Sequence, residues 1–397
     1  MIYFDHAATT PLQPQVLEAM LPFLRENFGN PSSLHHAGKN ARFAVETARE
    51  QIAALLGARP AEIILTSGAT EGNNHALKGL AQHRASHGRH IVSTQLEHDA
   101  VLHPLQTLAS QGFEVTWVAP EPNGIVDAQK FVAALRPETI FASIMHANNE
   151  MGTLQPIARI ASACRQHGVP LHVDACQTVG HIPIDVAELG CDVLTCSAHK
   201  FYGPKGAGAT WVRRGVRFPT LIEGGHQQKG RRAGTENVAG LVGLGAAAEL
   251  AAQALQSGQE ARVQVLRERL SAGIERLCSG THLNGDRTRR VPGIANFSFE
   301  GIEGEGLILE LDARAGVCCS TGSACAAGSL DPSPVLLSIG LETGLARAGT
   351  RFSLGRGNTQ EEVDTVVELL PQVLESLRRL SPESRAAIVG GQSDEAG

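Results

Sequence analysis

The chain lacks the features typical of membrane, secreted and nucleic-acid-binding proteins. No stretch reaches the ~20 consecutive apolar residues that a bilayer span requires. The first residues, MIYFDHAATTPLQPQ, contain neither a basic segment nor a long apolar run. Lysine and arginine number 34 against 40 acidic residues, so a net charge of -6 provides no general attraction to nucleic acid or anionic lipid. We therefore expect no nucleic-acid partner, no membrane partner and a cytoplasmic location.

The cysteines do not form a disulfide or zinc pattern. Eight cysteines in 397 residues, without a secretory signal, are typical of reduced cytosolic thiols. No C-x2-C pair occurs among them, and Cys318 and Cys319 are too close together for the usual zinc-ligand spacing. We predict no metal site. One of the reduced thiols could instead take part in a reaction.

The apolar runs predict an α/β fold. Short β-branched runs alternate with amphipathic helical segments, as in βα units that form a mostly parallel sheet. Polar residues, Gly or Pro bound each run. This pattern predicts a large, doubly wound α/β domain with strands at 62–67, 90–94, 114–118, 139–145, 170–174, 192–197 and 208–212 and intervening helices such as 41–57 and 156–168.

The composition changes after about residue 236. A long helical stretch rich in Ala, Leu, Glu and Arg extends to 278 and is followed by short apolar runs at 294–299 and 306–311. We predict that a smaller α+β domain consists of residues 1–13 and 251–380, beside a large domain at 14–250. The last residues, 381–397, lack periodicity and are predicted to be a disordered tail.

Two strand ends carry a lysine and an aspartate. Lys200 follows the strand at 192–197, although most lysines in such places are solvated surface charges. Asp174 ends the strand at 170–174, and an inward-facing carboxylate needs a cationic partner. The protonated ring nitrogen of pyridoxal phosphate is such a partner, and Gln177 could donate to the phenolic oxygen of the ring. Without these other groups, Asp174 would be a turn or helix-cap residue.

The segment TSGATEGNN at 66–74 could bind a phosphate group. It contains a strand end, a glycine turn and a helix start, and amides at helix N-termini bind phosphate well. Ala69 and Thr70 would supply amides and a hydroxyl group. The turn before the lysine would add further donors, from Ser197, Ala198 and His199.

Ordered motifs extend along nearly the whole chain. They are FGNPSSLHHAG at 28–38, TSGATEGNN at 66–74, EHDAVL at 97–102, IMHANNEMGTLQPI at 144–157, HVDACQTVG at 172–180, SAHKFYGPKGAG at 197–208, GGHQQKGRRAGTENVAG at 224–240, STGSACAAGSLDPSPVLLSIG at 320–340 and TRFSLGR at 350–356. Together they resemble the class V aminotransferase family and, within it, the NifS/IscS cysteine desulfurases. The stretch at 224–240 looks closer to NifS, the nitrogen-fixation member, than to IscS. The resemblance implies a pyridoxal-phosphate-dependent transferase of fold type I.

The resemblance also implies individual roles. Thr235 reaches the cofactor phosphate from the other subunit, so the implied assembly is a homodimer. Asn149 contacts the substrate and the ring oxygen, and Arg351 binds the substrate carboxylate with its planar fork. The remaining cofactor ligands are Lys200 on the aldehyde carbon, Asp174 on the ring nitrogen, Gln177 on the phenolic oxygen, His98 on the ring face, and Thr70, Ser197 and His199 on the phosphate.

Cys325 lies among small residues in GSACAAGS, unlike Cys164 and Cys196, whose positions suit buried thiols. By resemblance, Lys200 removes the α-proton of L-cysteine and the Cys325 thiolate attacks the substrate sulfur. The products are alanine and a persulfide on Cys325, with His98 taking the substrate thiol proton. An iron-sulfur scaffold protein is the expected sulfur acceptor.

Two alternatives remain open at this point. The fold and the cofactor lysine serve many reactions, so the substrate could be selenocysteine or another amino acid, as in other lyases and aminotransferases of this type. The chain could also be a cofactor-free thiol carrier in which Cys325 only relays sulfur. Visible absorbance from a bound cofactor separates this last alternative from the enzymes.

Overall fold

The computed structural model describes residues 1–321 and 331–380, so Cys325 and the predicted tail at 381–397 lie outside the described residues. The strands are β1 (Ile2–Tyr3), β2 (Ile63–Thr66), β3 (His90–Thr94), β4 (Glu114–Val118), β5 (Thr139–Met145), β6 (Leu171–Asp174), β7 (Val193–Ser197), β8 (Gly208–Val212), β9 (Thr281–Asn284), β10 (Ile294–Phe299), β11 (Val317–Cys318) and β12 (Gly349–Ser353). The helices are α1 (Pro14–Arg25), α2 (His36–Leu55), α3 (Ala69–Arg84), α4 (Asp99–Ser110), α5 (Ala128–Ala133), α6 (Ile157–Gln166), α7 (Val186–Leu189), α8 (Gln227–Gly230), α9 (Val238–Gln256), α10 (Gln259–Leu277), α11 (Gly304–Ala315), α12 (Pro334–Ser338), α13 (Thr343–Arg347) and α14 (Gln360–Leu380).

The central sheet has seven strands in the order β2-β8-β7-β6-β5-β3-β4. Strand β8 is antiparallel to both of its neighbours, and the other pairings are parallel. These are the seven strands expected from the apolar runs, so the predicted mostly parallel α/β fold is confirmed. The strands could be predicted from these runs because a strand that is covered on both faces has an almost continuously apolar sequence.

The two faces of this sheet bury separate hydrophobic clusters. Ile63 and Leu65 belong to one cluster, whereas Ile64 belongs to the other, as the two-residue period of a strand requires. Helices α2, α6 and α9 contribute to the first cluster, and α3 and α4 to the second. Helices therefore cover both faces, which is the doubly wound arrangement.

Helix α9 is long and apolar enough to cross a membrane by length and composition, but 56% of its apolar window is buried inside the protein. Its glycines pack closely: a Cβ atom on Gly243 would lie 2.6 Å from the Met20 sulfur, and one on Gly245 would lie 2.6 Å from Ala48 Cα. We therefore interpret α9 as a core helix. The long helical stretch after 236 divides at Gly258, whose φ of 76° favours glycine and separates α9 from α10.

The first residues of the chain and residues 263–374 form a second core. Strands β12, β10 and β9 form an antiparallel sheet, and β1 pairs with β11. Phe4 is fully buried in one cluster with residues between 263 and 374. The grouping of residues 1–13 with 251–380 is consistent with this core, although the domain boundaries remain a prediction. The apolar run at 306–311 lies in helix α11.

Candidate active site

A cavity of about 510 Å³ lies at the carboxyl edge of the central sheet. Parallel strands end at one edge, so the residues that follow β2, β3, β5, β6 and β7 meet there, as ligand sites of open α/β sheets do. Its walls bring together most of the predicted residues, namely Ala69, Thr70, His98, Asn149, Asp174, Gln177, Ser197, His199 and Lys200.

Lys200 ends a short 3₁₀ turn, Ala198–Lys200, directly after β7. Its Nζ donates hydrogen bonds to the carbonyl oxygens of Ala7 (2.6 Å) and Ala8 (2.9 Å). Burial lowers the pKa of Lys200 below its ordinary value of 10.5, because the charged amine loses water. The shift is toward the neutral amine, the form that acts as a nucleophile or a base.

Asp174 ends β6 and is 6% exposed. Its Oδ2 accepts a hydrogen bond from Asn73 Nδ2 (2.7 Å), and its Oδ1 accepts one from the backbone N–H of Cys176 (3.0 Å). Both donors are uncharged, so they orient the carboxylate without neutralising it. A cation in the cavity would provide the missing counter-charge.

The N-terminus of α3 borders the same cavity. Gly68 precedes the helix with a φ of 153°, and a Cβ on Gly208 would lie only 2.6 Å from Gly68 Cα. Glycine at both positions lets the turn lie directly on β8. The first amides of a helix have no partner within it, so those of Ala69 and Thr70 suit an anion.

His199 and Ser197 add polar groups near this turn. His199 Nδ1 lies 3.2 Å from Thr9 Oγ1. Burial, helped by Lys200 and Lys205, lowers the pKa of His199 to about 4, so its imidazole is neutral near pH 7. An amine, a buried carboxylate and a set of amide and side-chain donors match the aldehyde, ring nitrogen and phosphate of pyridoxal phosphate. The residues of the cavity fit this cofactor.

The predicted substrate residues lie at different depths. His98 caps helix α4, where its Nδ1 accepts a hydrogen bond from the backbone N–H of Ala100 (3.0 Å). Asn149 lines the cavity, but Arg351 lies behind it at 2% exposure. The Arg351 guanidinium donates to the Asn149 carbonyl oxygen (2.8 Å) and to Asp5 Oδ1 (2.9 Å). The role of Arg351 as a carboxylate clamp remains a prediction.

Two other predicted cofactor residues are not on the cavity wall. Ala198 is fully buried, and its backbone N–H already donates to the Ala207 carbonyl oxygen (3.0 Å). Thr235 is exposed in the loop before α9 and does not line this cavity. Its expected position in a partner's site remains a prediction.

Sequence reasoning missed several residues of the cavity. The loop at 7–9 supplies carbonyl groups to Lys200 and also to Gln177, whose Nε2 donates to Ala7 (3.0 Å). Glu71 on α3 accepts two hydrogen bonds from Arg232, at 2.9 and 3.0 Å. Backbone carbonyls of small residues carry no sequence signal, and the Glu71–Arg232 pair joins residues far apart in the chain.

Glu97 is buried next to the predicted ring-stacking histidine. Its Oε1 accepts hydrogen bonds from Thr94 Oγ1 (2.7 Å) and the Met145 backbone N–H (3.0 Å). Its Oε2 is buried without a partner among the described residues. Burial raises the pKa of Glu97 from 4.5 to about 8, so the folded protein holds a proton there near pH 7.

Replacing Glu97 by glutamine should make stability less dependent on pH. Between pH 4.5 and about 8 the folded state keeps a proton at Glu97 that the unfolded state has released, so stability falls as pH rises through this window. This group alone contributes a slope of up to about 1.4 kcal/mol per pH unit. Glutamine keeps the accepting oxygen and does not titrate, so urea unfolding across the window should give a flatter profile.

The matched control for this experiment is Glu368→Gln, which changes an exposed glutamate on α14. It should keep the wild-type slope, because its carboxyl group remains in water in both states. Equal slopes for wild type and Glu97→Gln would contradict a buried, protonated Glu97.

Comparisons with known proteins show which family the chain belongs to. The class-V aminotransferase family model matches residues 2–366. The cysteine desulfurase IscS of Dictyoglomus turgidum is 48% identical over 381 residues, which cover 96% of both chains. A solved NifS-like protein superposes with a TM-score of 0.88 at 37% identity, covering 95% of this chain and 100% of its own. SspA, solved in complex with cysteine, has a TM-score of 0.79 at 37% identity, covering 90% and 100%.

The family match extends over nearly the whole chain, and the cavity holds the donor set that the family's cofactor requires. The enzymes of this family depend on pyridoxal phosphate. The chain therefore belongs to the class-V aminotransferase family and, within it, to the pyridoxal-phosphate-dependent cysteine desulfurases.

Proposed function

We propose that this chain converts L-cysteine to L-alanine and transfers the sulfur to Cys325 as a persulfide, for use in iron-sulfur cluster assembly. The observation that carries the proposal is the buried amine of Lys200 in a cavity that also holds Asp174. Relatives named cysteine desulfurase, and a structural relative solved with cysteine, support the choice of substrate.

Lys200 is the proposed base. When bound, pyridoxal phosphate stabilises negative charge on the α-carbon of an amino acid. Because burial lowers the pKa of Lys200, its neutral Nζ can accept the α-proton of cysteine and return a proton to the product carbon. The Ala7 and Ala8 carbonyl oxygens hold Nζ at the cavity wall while it is not reacting.

Other wall residues would orient the substrate. His98 lies at the N-terminus of α4, where its ring could stack on the cofactor and take the proton of the substrate thiol. Asn149 lines the cavity and its carbonyl oxygen is bound by Arg351, so a carboxylate near Asn149 would be close to the guanidinium group. Arg351 would then exchange its contact with Asp5 for the substrate carboxylate.

Cys325 is the proposed sulfur acceptor. Its thiolate attacks the sulfur of the substrate, a sulfur-sulfur bond forms, and the bond between that sulfur and the substrate β-carbon breaks. The electron pair of the broken bond stays with the carbon fragment, which takes up protons and leaves as alanine. The oxidised product is the persulfide and the reduced product is the alanine side chain, so no further oxidant is needed.

The experiment that tests this function is incubation of cofactor-loaded enzyme with L-cysteine and assay of alanine and released sulfur. We expect equal amounts of the two in the presence of a reducing thiol. Formation of a keto acid in place of alanine would indicate an aminotransferase instead. A higher kcat/KM for selenocysteine would move the assignment to a selenocysteine lyase, and absence of a visible cofactor band would support a cofactor-free carrier.

We also propose that two copies of this chain complete the site. Large apolar side chains are exposed between residues 12 and 43, which we call the N-terminal apolar patch: Leu12, Leu17, Leu24, Phe28, Leu34 and Phe43. Patches of this kind mark protein interfaces. Thr235 is exposed and does not line the cavity of its own chain, as expected of a residue that serves the partner's phosphate site.

The dimer should have about twice the 41.9 kDa mass of one chain in light scattering. Replacing Phe28 and Phe43 with glutamate should produce monomers that bind the cofactor less tightly, because the contribution of Thr235 would be lost. Replacement of the exposed Leu309 on α11 is the matched control and should leave the mass unchanged. A monomeric wild type with full activity would contradict the proposal.

The biological setting remains a prediction. The motif at 224–240 favours a role in nitrogen fixation, whereas the curated relatives carry the name IscS. An iron-sulfur scaffold protein is the proposed acceptor, in the cytoplasm. Capture of the acceptor from the native host by the cysteine-treated enzyme would test these assignments.

A further inference from the structure

A chain of buried polar side chains lies behind Asp174. It connects Asn73 on α3, His172 on β6 and Ser143 on β5, and all three are fully buried. Asn73 Nδ2 donates to Asp174 Oδ2 (2.7 Å), Asn73 Oδ1 lies 3.1 Å from His172 Nε2, and His172 Nδ1 lies 2.9 Å from Ser143 Oγ. None of these residues is needed to fill the apolar core, and each buried polar group costs free energy unless it is paired.

The chemistry of the groups sets the direction of each hydrogen bond. An ionised Asp174 only accepts, so the NH₂ group of Asn73 must face it and the Asn73 oxygen must face His172. Thr195 Oγ1 donates to the same oxygen at 2.5 Å. His172 Nε2 must therefore carry a proton, and Nδ1 of the neutral ring accepts one from the Ser143 hydroxyl group.

The resulting chain carries no net charge. Burial lowers the pKa of His172 to about 4, which agrees with a neutral ring near pH 7. The second carboxylate oxygen of Asp174 is bound by the Cys176 backbone amide, another neutral donor. Both of these hydrogen bonds come from uncharged donors, so they orient the carboxylate without neutralising it.

We propose that Asn73 and His172 are positioning residues that orient Asp174 toward the ring nitrogen of the cofactor and keep its charge uncompensated. This inference rests on the proposed function only in that Asp174 is taken to face the ring nitrogen. His172 acts through Asn73, which borders the cavity, and Asn73 acts through Asp174. Their effect is on the protonation of the ring and on the chemical step.

The test is a pH titration of the visible band of the cofactor-loaded enzyme, without substrate, for wild type, Asn73→Leu, His172→Leu and His172→Gln. In Asn73→Leu the hydrogen bond from Asn73 to Asp174 is lost, so the Asp174 carboxylate is free to rotate. The midpoint of the pH titration should therefore shift. The kcat should fall roughly 10–100-fold with little change in KM. His172→Leu should show the same change more weakly. His172→Gln retains an N–H donor for Asn73 and should recover most of the wild-type behaviour.

Asn284→Leu is the matched control, since Asn284 is an equally buried asparagine whose side chain bonds Asn296 and Ser298 in the other core. It should lower stability without changing the titration. Unchanged titration and kcat in Asn73→Leu would overturn the proposal. If Asn73→Leu binds no cofactor, the same titration of His172→Leu tests the proposal. A wild-type titration midpoint and kcat in His172→Leu would then overturn it. A wild type with no visible band would instead refute the proposed function.

Discussion

Replacement of Lys200 with alanine should abolish turnover of L-cysteine. Transfer of the α-proton by a positioned base contributes roughly 10²–10⁴-fold to a rate, and Lys200 is the proposed base. In the proposed function its amine also attaches the cofactor covalently, so the variant should lose the visible band on dialysis. Alanine production and the absorbance of dialysed protein measure the two effects separately.

The structure predicts that this variant still folds. The variant loses two hydrogen bonds to the Ala7 and Ala8 carbonyl oxygens, but the cost of removing the partly buried amine from water also disappears. Lys130→Ala is the control, because Lys130 is an exposed lysine whose ion pair with Glu121 contributes little. A Lys200→Ala enzyme with wild-type alanine production would refute the proposed chemistry.

Replacement of Cys325 with alanine should eliminate persulfide formation and stop sulfur release. The other seven cysteines lie in the described part of the chain, and all have a raised pKa, for which burial is the largest cause. For Cys164, Cys191 and Cys196 the pKa rises to about 12, which leaves almost no thiolate at neutral pH. The raised pKa therefore disfavours these three buried thiols as nucleophiles.

Mass spectrometry after a single addition of L-cysteine would detect one extra sulfur atom on Cys325 in the wild type. The visible band should persist in Cys325→Ala, because Lys200 and the cavity are unchanged, whereas the extra sulfur and released sulfide should be absent. Cys318→Ala is the control, since this thiol lies on β11 and outside the cavity wall. Undiminished sulfide release from Cys325→Ala would show that another group accepts the sulfur.

The sheet could be predicted from the sequence because its signals are local. Each predicted strand from 62–67 to 208–212 agrees with an observed strand to within one residue at either end. Strands such as β5, buried along their whole length, leave an apolar run that needs no knowledge of their neighbours. Lys200 and Asp174 were predicted as site residues because they lie at the ends of strands, and open α/β sheets bind ligands at the carboxyl ends of their parallel strands.

The hydrogen bonds around Lys200 and Arg351 could not be predicted from the sequence. The carbonyl groups that hold Lys200 come from Ala7 and Ala8, more than 190 residues away in the chain. A short segment of small residues has no periodicity that would place it in a cavity. Arg351 was predicted at the substrate, and that role remains a prediction. Its guanidinium donates to Asp5 and to the Asn149 carbonyl, and these contacts depend on the packing of the two cores.

By itself the sequence determined the class of fold and the family, because those depend on residue types at local positions, and it predicted the cofactor lysine and the reactive cysteine. Only the tertiary structure decided which groups surround Asp174 and Lys200. It revealed the neutral chain from Asn73 to Ser143, which joins one helix and two strands by side-chain hydrogen bonds. Such contacts depend on how distant segments pack in three dimensions, and no pattern along the chain records them.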